Sequence, residues 1–367
     1  MSQDFNPQIP PVKSTDRQAQ PEMLYLPETM QSWPWPRAVN CYHEQVSRES
    51  NAWIVSFRPL DERSQRAWNL CDFGLLSALV YPRASKEHLR TGTDLMSVLF
   101  LVDEYTDVKP QPIVEDIVKI AISAINNPGT PRPEGEIILG EIVRQFWVRA
   151  ERNATPEAAK HFVESFTDYL QSVIVQAGAR DDAKIHTVGE YFKTRRENVG
   201  VRVAFFPGEL HISIPDYAFY HPIITELKYL IVDIVTLDND MASYNKEQAT
   251  GDDRYNILTV VMNQFNVSLP DAVDWAVRYH KELEISFLNG LKKVPSWGED
   301  VDEQVAMYIE HIANWPRGSA SWNFEGGRYF GSRGLEVQKT RCVPLLAKRE
   351  VTHPNKEDIE VTNVDCL

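Results

Sequence analysis

The apolar positions of this chain fall in a helical rhythm. Between Asp61 and Tyr81, the residues Trp68, Leu70, Phe73, Leu75, Leu76 and Leu79 mark a buried helix that Pro82 stops. From Ser85 to Asp107, Leu89, Leu95, Met96, Leu99, Phe100 and Val102 lead into the acidic run Asp103-Glu104-Tyr105-Thr106-Asp107. The same periodicity predicts helices at 38–56, 112–126, 136–150, 156–177, 187–206, 222–247, 255–266, 270–293, 301–315 and 318–332. Asn126-Asn127-Pro128-Gly129, the stretch from Gly178 to Asp182, Pro215 with Pro222, and Gly251-Asp252-Asp253 punctuate them. No apolar-polar alternation is sustained between turn signals, and no repeat is visible. The prediction is an all-α fold: one helical bundle domain over 23–340, with no Pro/Gly/Ser linker dividing it. A polar, proline-broken arm at 1–22 precedes it, and an aperiodic tail at 341–367 follows.

One predicted helix changes character along its length. Leu230, Ile231, Val232, Ile234, Val235 and Leu237 form a core-type run, and polar Asn239, Ser243 and Glu247 follow, four residues apart. On an α-helix each step of four turns by only about 40°, so the three share a face. An amide oxygen, a hydroxyl and a carboxylate make a hard oxygen set suited to Mg²⁺. Asp103 and Asp107 likewise share one face at the end of an apolar helix. Each pattern taken singly is also what an ordinary solvated helix face shows.

Composition narrows the partners. Of 367 residues, 43% are apolar and 25% charged, enough for a large core. The net charge of −14 argues against nucleic acid or an anionic membrane surface. An anionic substrate would then need metals or a few placed cations. Cys41, Cys71, Cys342 and Cys366 show no paired spacing, which fits a reducing, cytoplasmic setting. The first residues are polar and Pro-broken, so no leader is expected, and no apolar run approaches the ~20 residues that span a bilayer.

Three further features carry cations or rings. Arg195-Arg196 precedes Gly200, and a glycine inside a helical stretch costs about 1 kcal/mol relative to Ala, which predicts a break or a close backbone approach there. Arginine binds phosphate oxygens in bidentate fashion. Arg328-Tyr329 follows Gly326-Gly327, with Trp322 six residues before the arginine. Lys246 stands beside Glu247.

In this order the motifs resemble those of the class I terpene synthases. Asp103-Glu104-Tyr105-Thr106-Asp107 is similar to the family's aspartate-rich motif, with Glu104 where Asp is usual. Asn239, Ser243 and Glu247 match its N-x-x-x-S-x-x-x-E metal triad, Arg328-Tyr329 its RY pair, and Trp322 its pocket tryptophan. Arg196, four before Gly200, resembles the diphosphate-sensing arginine, with Arg195 as the competing assignment. The segments LPETMQSWPWPRAVN, WNLCDFGLLSALVYP and LFLVDEYTD resemble basidiomycete sesquiterpene synthases, most of all the protoilludene synthase group. The resemblance spans about residues 24 to 345. It implies an all-α cavity and three Mg²⁺ ions on Asp103, Asp107, Asn239, Ser243 and Glu247. It also implies farnesyl diphosphate as substrate, held by Arg196, Lys246, Arg328 and Tyr329, with Phe100 and Trp322 facing the cation. A monomer or homodimer that makes protoilludene or another cyclic sesquiterpene is the expectation. A prenyl diphosphate elongase and a non-catalytic helical binding protein are the rivals.

Overall fold

In the computed structural model, residues 22–182, 185–348 and 363–364 are described. Residues 1–21 of the expected arm lie outside them. The body is helical: α1 (His43–Ser56), α2 (Glu62–Cys71), α3 (Phe73–Val80), α4 (Lys86–Thr106), α5 (Gln111–Asn126), α6 (Leu139–Glu151), α7 (Pro156–Asp181) and α8 (Val188–Asn198). There follow α9 (Asp216–Phe219), α10 (Pro222–Thr250), α11 (Ile257–Phe265), α12 (Leu269–Leu291), α13 (Glu299–Ala313), α14 (Trp315–Glu325), α15 (Gly327–Phe330) and α16 (Gly334–Thr340). No helix among the described residues is long and apolar enough to cross a membrane.

α10 organises the bundle. Pro222 opens it in the first turn, where a missing N–H costs nothing. Gly251 closes it in the left-handed region at φ 82°, which lets the Gly251 and Asp252 N–H groups both reach the Glu247 carbonyl. Between these caps Ile231, Val232, Ile234, Val235 and Leu237 are all buried, and the helix packs against α8, α11, α12 and α14. α4, capped by Ser85, crosses on the other side against α1, α3 and α6.

The structure divides two of the predicted helices. The one expected over 61–81 breaks at Asp72, whose left-handed backbone (φ 51°) ends α2 and whose carboxylate accepts the Leu75 N–H at the start of α3. The one expected over 187–206 ends at Asn198, because Gly200 turns left-handed (φ 74°), and it resumes as a 3-10 turn at Val203–Gly208.

The ends also differ from expectation. Met23–Tyr25 (β1) pairs antiparallel with Cys342–Pro344 (β2), a ribbon of three residues a side and too short to show alternation. The residues expected to begin a tail are therefore docked. Asn245 donates to the Pro344 carbonyl at 3.0 Å, and Gln248 to that of Leu346 at 2.8 Å. The segment after β1 lies as a strap over α10, α12 and α14. Trp33 donates to the Ala313 carbonyl, and Arg317 reaches the Met30 and Trp33 carbonyls.

Candidate active site

The acidic end of α4 and the polar half of α10 meet across two arginines. On α4, Asp103 is half-buried, and its Oδ1 accepts the Tyr169 hydroxyl at 2.9 Å. Asp107 is exposed at the helix end. On α10, Asn239 is half-buried: its amide donates to the Tyr329 hydroxyl at 2.7 Å, and its oxygen accepts Arg195 at 3.0 Å. Ser243 lies one turn on and is buried. Glu247 accepts from the Asn256 amide at 2.9 Å, and that amide also donates to the Asp240 carbonyl at 2.9 Å. The helical spacing thus brings Asn239, Ser243 and Glu247 to one face.

Of the two arginines of α8, it is Arg195, the competing assignment, that reaches Asn239. Arg196 points away from this mouth and forms a bidentate pair with buried Asp233, at 2.8 and 2.7 Å. Arg195 reaches the triad face: it donates to Asn239, to Asp240 at 3.2 Å and to Asn198 at 3.1 Å. The reason is helical phase. Asn239 and Asp233 lie on different sides of α10, and neighbouring residues of α8 reach one each. Lys246 is exposed, on the residue before Glu247.

Arg328 and Tyr329, on the single-turn helix α15, close the other side. The Arg328 guanidinium stands 4.8 Å from the centre of the Phe100 ring. Phe100 stacks on Phe73 at 4.0 Å, and both lie about 6 Å from Trp322 (6.0 and 6.1 Å). Trp322 is held by its indole N–H, which donates to the Cys71 carbonyl at 2.8 Å. The sequence reading took Phe73 for core. Its place in this cage follows from the turn at Asp72, which re-aims α3. Tyr105, by contrast, is buried with its hydroxyl on the Pro59 carbonyl at 2.6 Å, and Phe192 is core packed against Tyr191 and Tyr279.

Charge is concentrated here against the preference of the solvent-poor surroundings. Burial, then the neighbouring Asp107 charge, pushes the Asp103 carboxyl up to about 7, opposed by the Tyr169 hydrogen bond and by Arg328 and Arg195. Burial, then Asp240, pushes Glu247 up to about 7, opposed by bonds from Asn256 and Ser243 and by Arg195. Burial works against the Arg195 cation too, but Tyr191, Asp240, Tyr255 and Glu247 around it hold its pKa above the ordinary value. Asp240 is anchored by the Tyr191 hydroxyl and by the Ile257 N–H at 2.7 Å.

This donor set fits a divalent cation. The carboxyl, amide and hydroxyl side chains of the set all offer hard oxygen ligands. Among the described residues no three Asp, Glu, His or Cys side chains are gathered closely enough to hold an ion alone. A divalent ion here would take water and substrate phosphate oxygens to complete its shell.

A helical bundle that brings two acidic helix ends together, with arginines and a tyrosine between them, defines the class. Residues 94–284 match the family described as terpene synthase family 2, C-terminal metal binding. The chain belongs to this terpene synthase family and is a lyase that acts on a prenyl diphosphate. It is 59% identical over 329 residues to sesquiterpene synthase 14 of Postia placenta, covering 90% of this chain and 94% of that one. It is 51% identical over 343 residues to Delta(6)-protoilludene synthase 18 of the same fungus, covering 93% and 98%. A Delta(6)-protoilludene synthase of Stereum hirsutum is 41% identical over 329 residues, 89% of each chain. The fold matches that of a hedycaryol synthase structure, with a TM-score of 0.71 and 19% identity over 82% of this chain and 98% of that one.

Proposed function

We propose that this protein is a sesquiterpene cyclase that ionises farnesyl diphosphate with Mg²⁺ and closes the resulting cation, through an eleven-membered humulyl ring and with final loss of a proton, to protoilludene, releasing diphosphate. The observation that carries the reading is the junction at Asn239. One amide, on the triad face of α10, meets both Arg195 of α8 and Tyr329 of α15, so a metal ligand and two diphosphate donors share one corner. The relatives called protoilludene synthases support the product.

Asp103, with Asp107, and the triad Asn239, Ser243 and Glu247 would hold three Mg²⁺ ions. When bound, these ions supply positive charge against the diphosphate and so lower the cost of its departure. Arg195, Arg328 and the Tyr329 hydroxyl offer donors fixed before the substrate arrives, which is electrostatic preorganisation. Lys246 is the remaining cation at the rim. Arg196 acts from behind, through Asp233. The rings of Phe73, Phe100 and Trp322 face the migrating cation, at about 0.5–2 kcal/mol each. They also keep water from quenching it to an alcohol.

The test is incubation of the purified protein with Mg²⁺ and, separately, geranyl, farnesyl and geranylgeranyl diphosphates, with hydrocarbons identified by gas chromatography and mass detection. Farnesyl diphosphate is expected to give protoilludene as the main product. Release of no diphosphate from any substrate overturns the cyclase reading, and a different sesquiterpene overturns the product alone. A longer linear diphosphate formed with added isopentenyl diphosphate makes the protein an elongase. Asn239→Ala and Glu247→Ala are expected to lower turnover by orders of magnitude at unchanged helical content.

A further inference from the structure

Four buried tyrosine hydroxyls in the bundle end in two different ways. Tyr81 donates to the Ala204 carbonyl and Tyr105 to the Pro59 carbonyl, both at 2.6 Å. These are ordinary core solutions for a phenol. Tyr191 and Tyr169 end instead on acids of the site, Asp240 and Asp103. Asp240 is already anchored by a backbone N–H and by Arg195. For Asp103 the Tyr169 hydroxyl, at 2.9 Å, is the one hydrogen bond to its carboxylate among the described residues. The Leu99 carbonyl lies 3.2 Å from the same hydroxyl. A phenol has one proton to give, and the shorter contact, to the Asp103 oxygen, is the stronger.

The Tyr169 ring has a second neighbour. Gly200 ends the Arg195 helix in the left-handed region, and a Cβ there would lie 3.8 Å from the Tyr169 ring and 3.5 Å from Leu99. α7, which carries Tyr169, packs along α8, and the ring, 1% exposed, lies in the neighbourhood of that break while its hydroxyl meets Asp103.

We infer that Tyr169 is a positioning residue for the metal. Its hydroxyl engages Oδ1 of Asp103, which leaves Oδ2 as the oxygen for the cation. The inference rests on the reading of Asp103 as a Mg²⁺ ligand. Loss of a partner that orients a ligand costs about 10–100-fold in metal affinity or activity.

Tyr169→Phe removes only the hydroxyl and keeps the ring, and Tyr81→Phe removes an equally buried phenolic bond away from the site. Thermal unfolding is followed while MgCl₂ is titrated at fixed inorganic diphosphate, and turnover is followed over the same Mg²⁺ range. Tyr169→Phe is expected to need about tenfold more Mg²⁺, or beyond, for the half-maximal shift in Tm and for half-maximal turnover. At saturating Mg²⁺ its turnover returns to within a few fold of wild type. Tyr81→Phe is expected to lower the metal-free Tm and leave the Mg²⁺ midpoint in place. A Tyr169→Phe midpoint equal to that of wild type overturns the inference and leaves the metal site standing. A wild-type protein that shows no shift with Mg²⁺ and diphosphate overturns both.

Discussion

Arg195 and Arg196 are neighbours in sequence, about 100° apart around their helix. That turn gives one to the mouth and the other to Asp233, and substitution separates the two roles. On the proposed function Arg195→Ala removes a fixed donor to the diphosphate and is expected to lower turnover about 10²–10³-fold; it also takes the charge partner from buried Asp240, so its urea midpoint is expected to fall as well. Arg196→Ala leaves Asp233, 1% exposed, without its partner. Breaking a fully buried pair costs about 3–5 kcal/mol. The Arg196 side chain is 37% exposed, so solvent screens part of this and about 2 kcal/mol is expected, read from urea unfolding. Turnover lost mainly in the Arg196 variant would return that residue to the diphosphate.

At the scale of elements, the mouth depends on how closely α3 and α14 approach. Gly318 of α14 faces the backbone of α3, and a Cβ there would fall 2.8 Å from the carbonyl carbon and oxygen of Leu79. Those atoms cannot swing aside as a side chain can. Gly318→Ala must therefore separate two helices that carry Phe73 and Trp322, whose rings lie 6.1 Å apart. The expected loss is about 1–3 kcal/mol, measured by denaturant unfolding. A product mixture richer in acyclic and partly cyclised hydrocarbons is expected beside it, because the walls of the cage no longer meet. A single unchanged product would separate this contact from the shape of the pocket.

The whole molecule is closed by the strap. Thr29 donates to Asp238 at 2.7 Å and Ser32 to Glu284 at 2.8 Å, and buried His280 lies between the two acids, 3.4 Å from each. Burial alone would lower the His280 pKa, but Asp238 and Glu284 outweigh it and raise it from 6.5 to about 9. A raised histidine contributes its full stability below the unfolded value, near 6.5, and loses it as pH rises through 9. Glu284 runs the other way. Burial would raise it, but bonds from His280, Lys281 and Ser32 hold it at about 2, so its contribution is complete above 4.5 and lost as pH falls towards 2. Thermal stability is therefore expected to decline from pH 6.5 to 9, by up to about 3 kcal/mol from His280. His280→Gln should flatten that decline relative to wild type. An equal slope in both proteins would remove His280 as its source.

Much of this was legible in the residues alone. Helical periodicity and punctuation are local properties, so the helices, the Gly200 break and the shared face of Asn239, Ser243 and Glu247 could be read directly. The family resemblance could be read for the same reason, since its motifs are short and contiguous. Three things were decided only by tertiary structure. Which of two adjacent arginines meets Asn239 depends on the phase of α8 against α10, and no pattern within α8 sets it. Phe73 and Tyr169 join the site through packing between segments far apart in sequence, where an aromatic in an apolar run reads as core. The expected tail is part of the body because its first residues pair with Met23–Tyr25, and a three-residue ribbon is defined by its partner rather than by its own sequence.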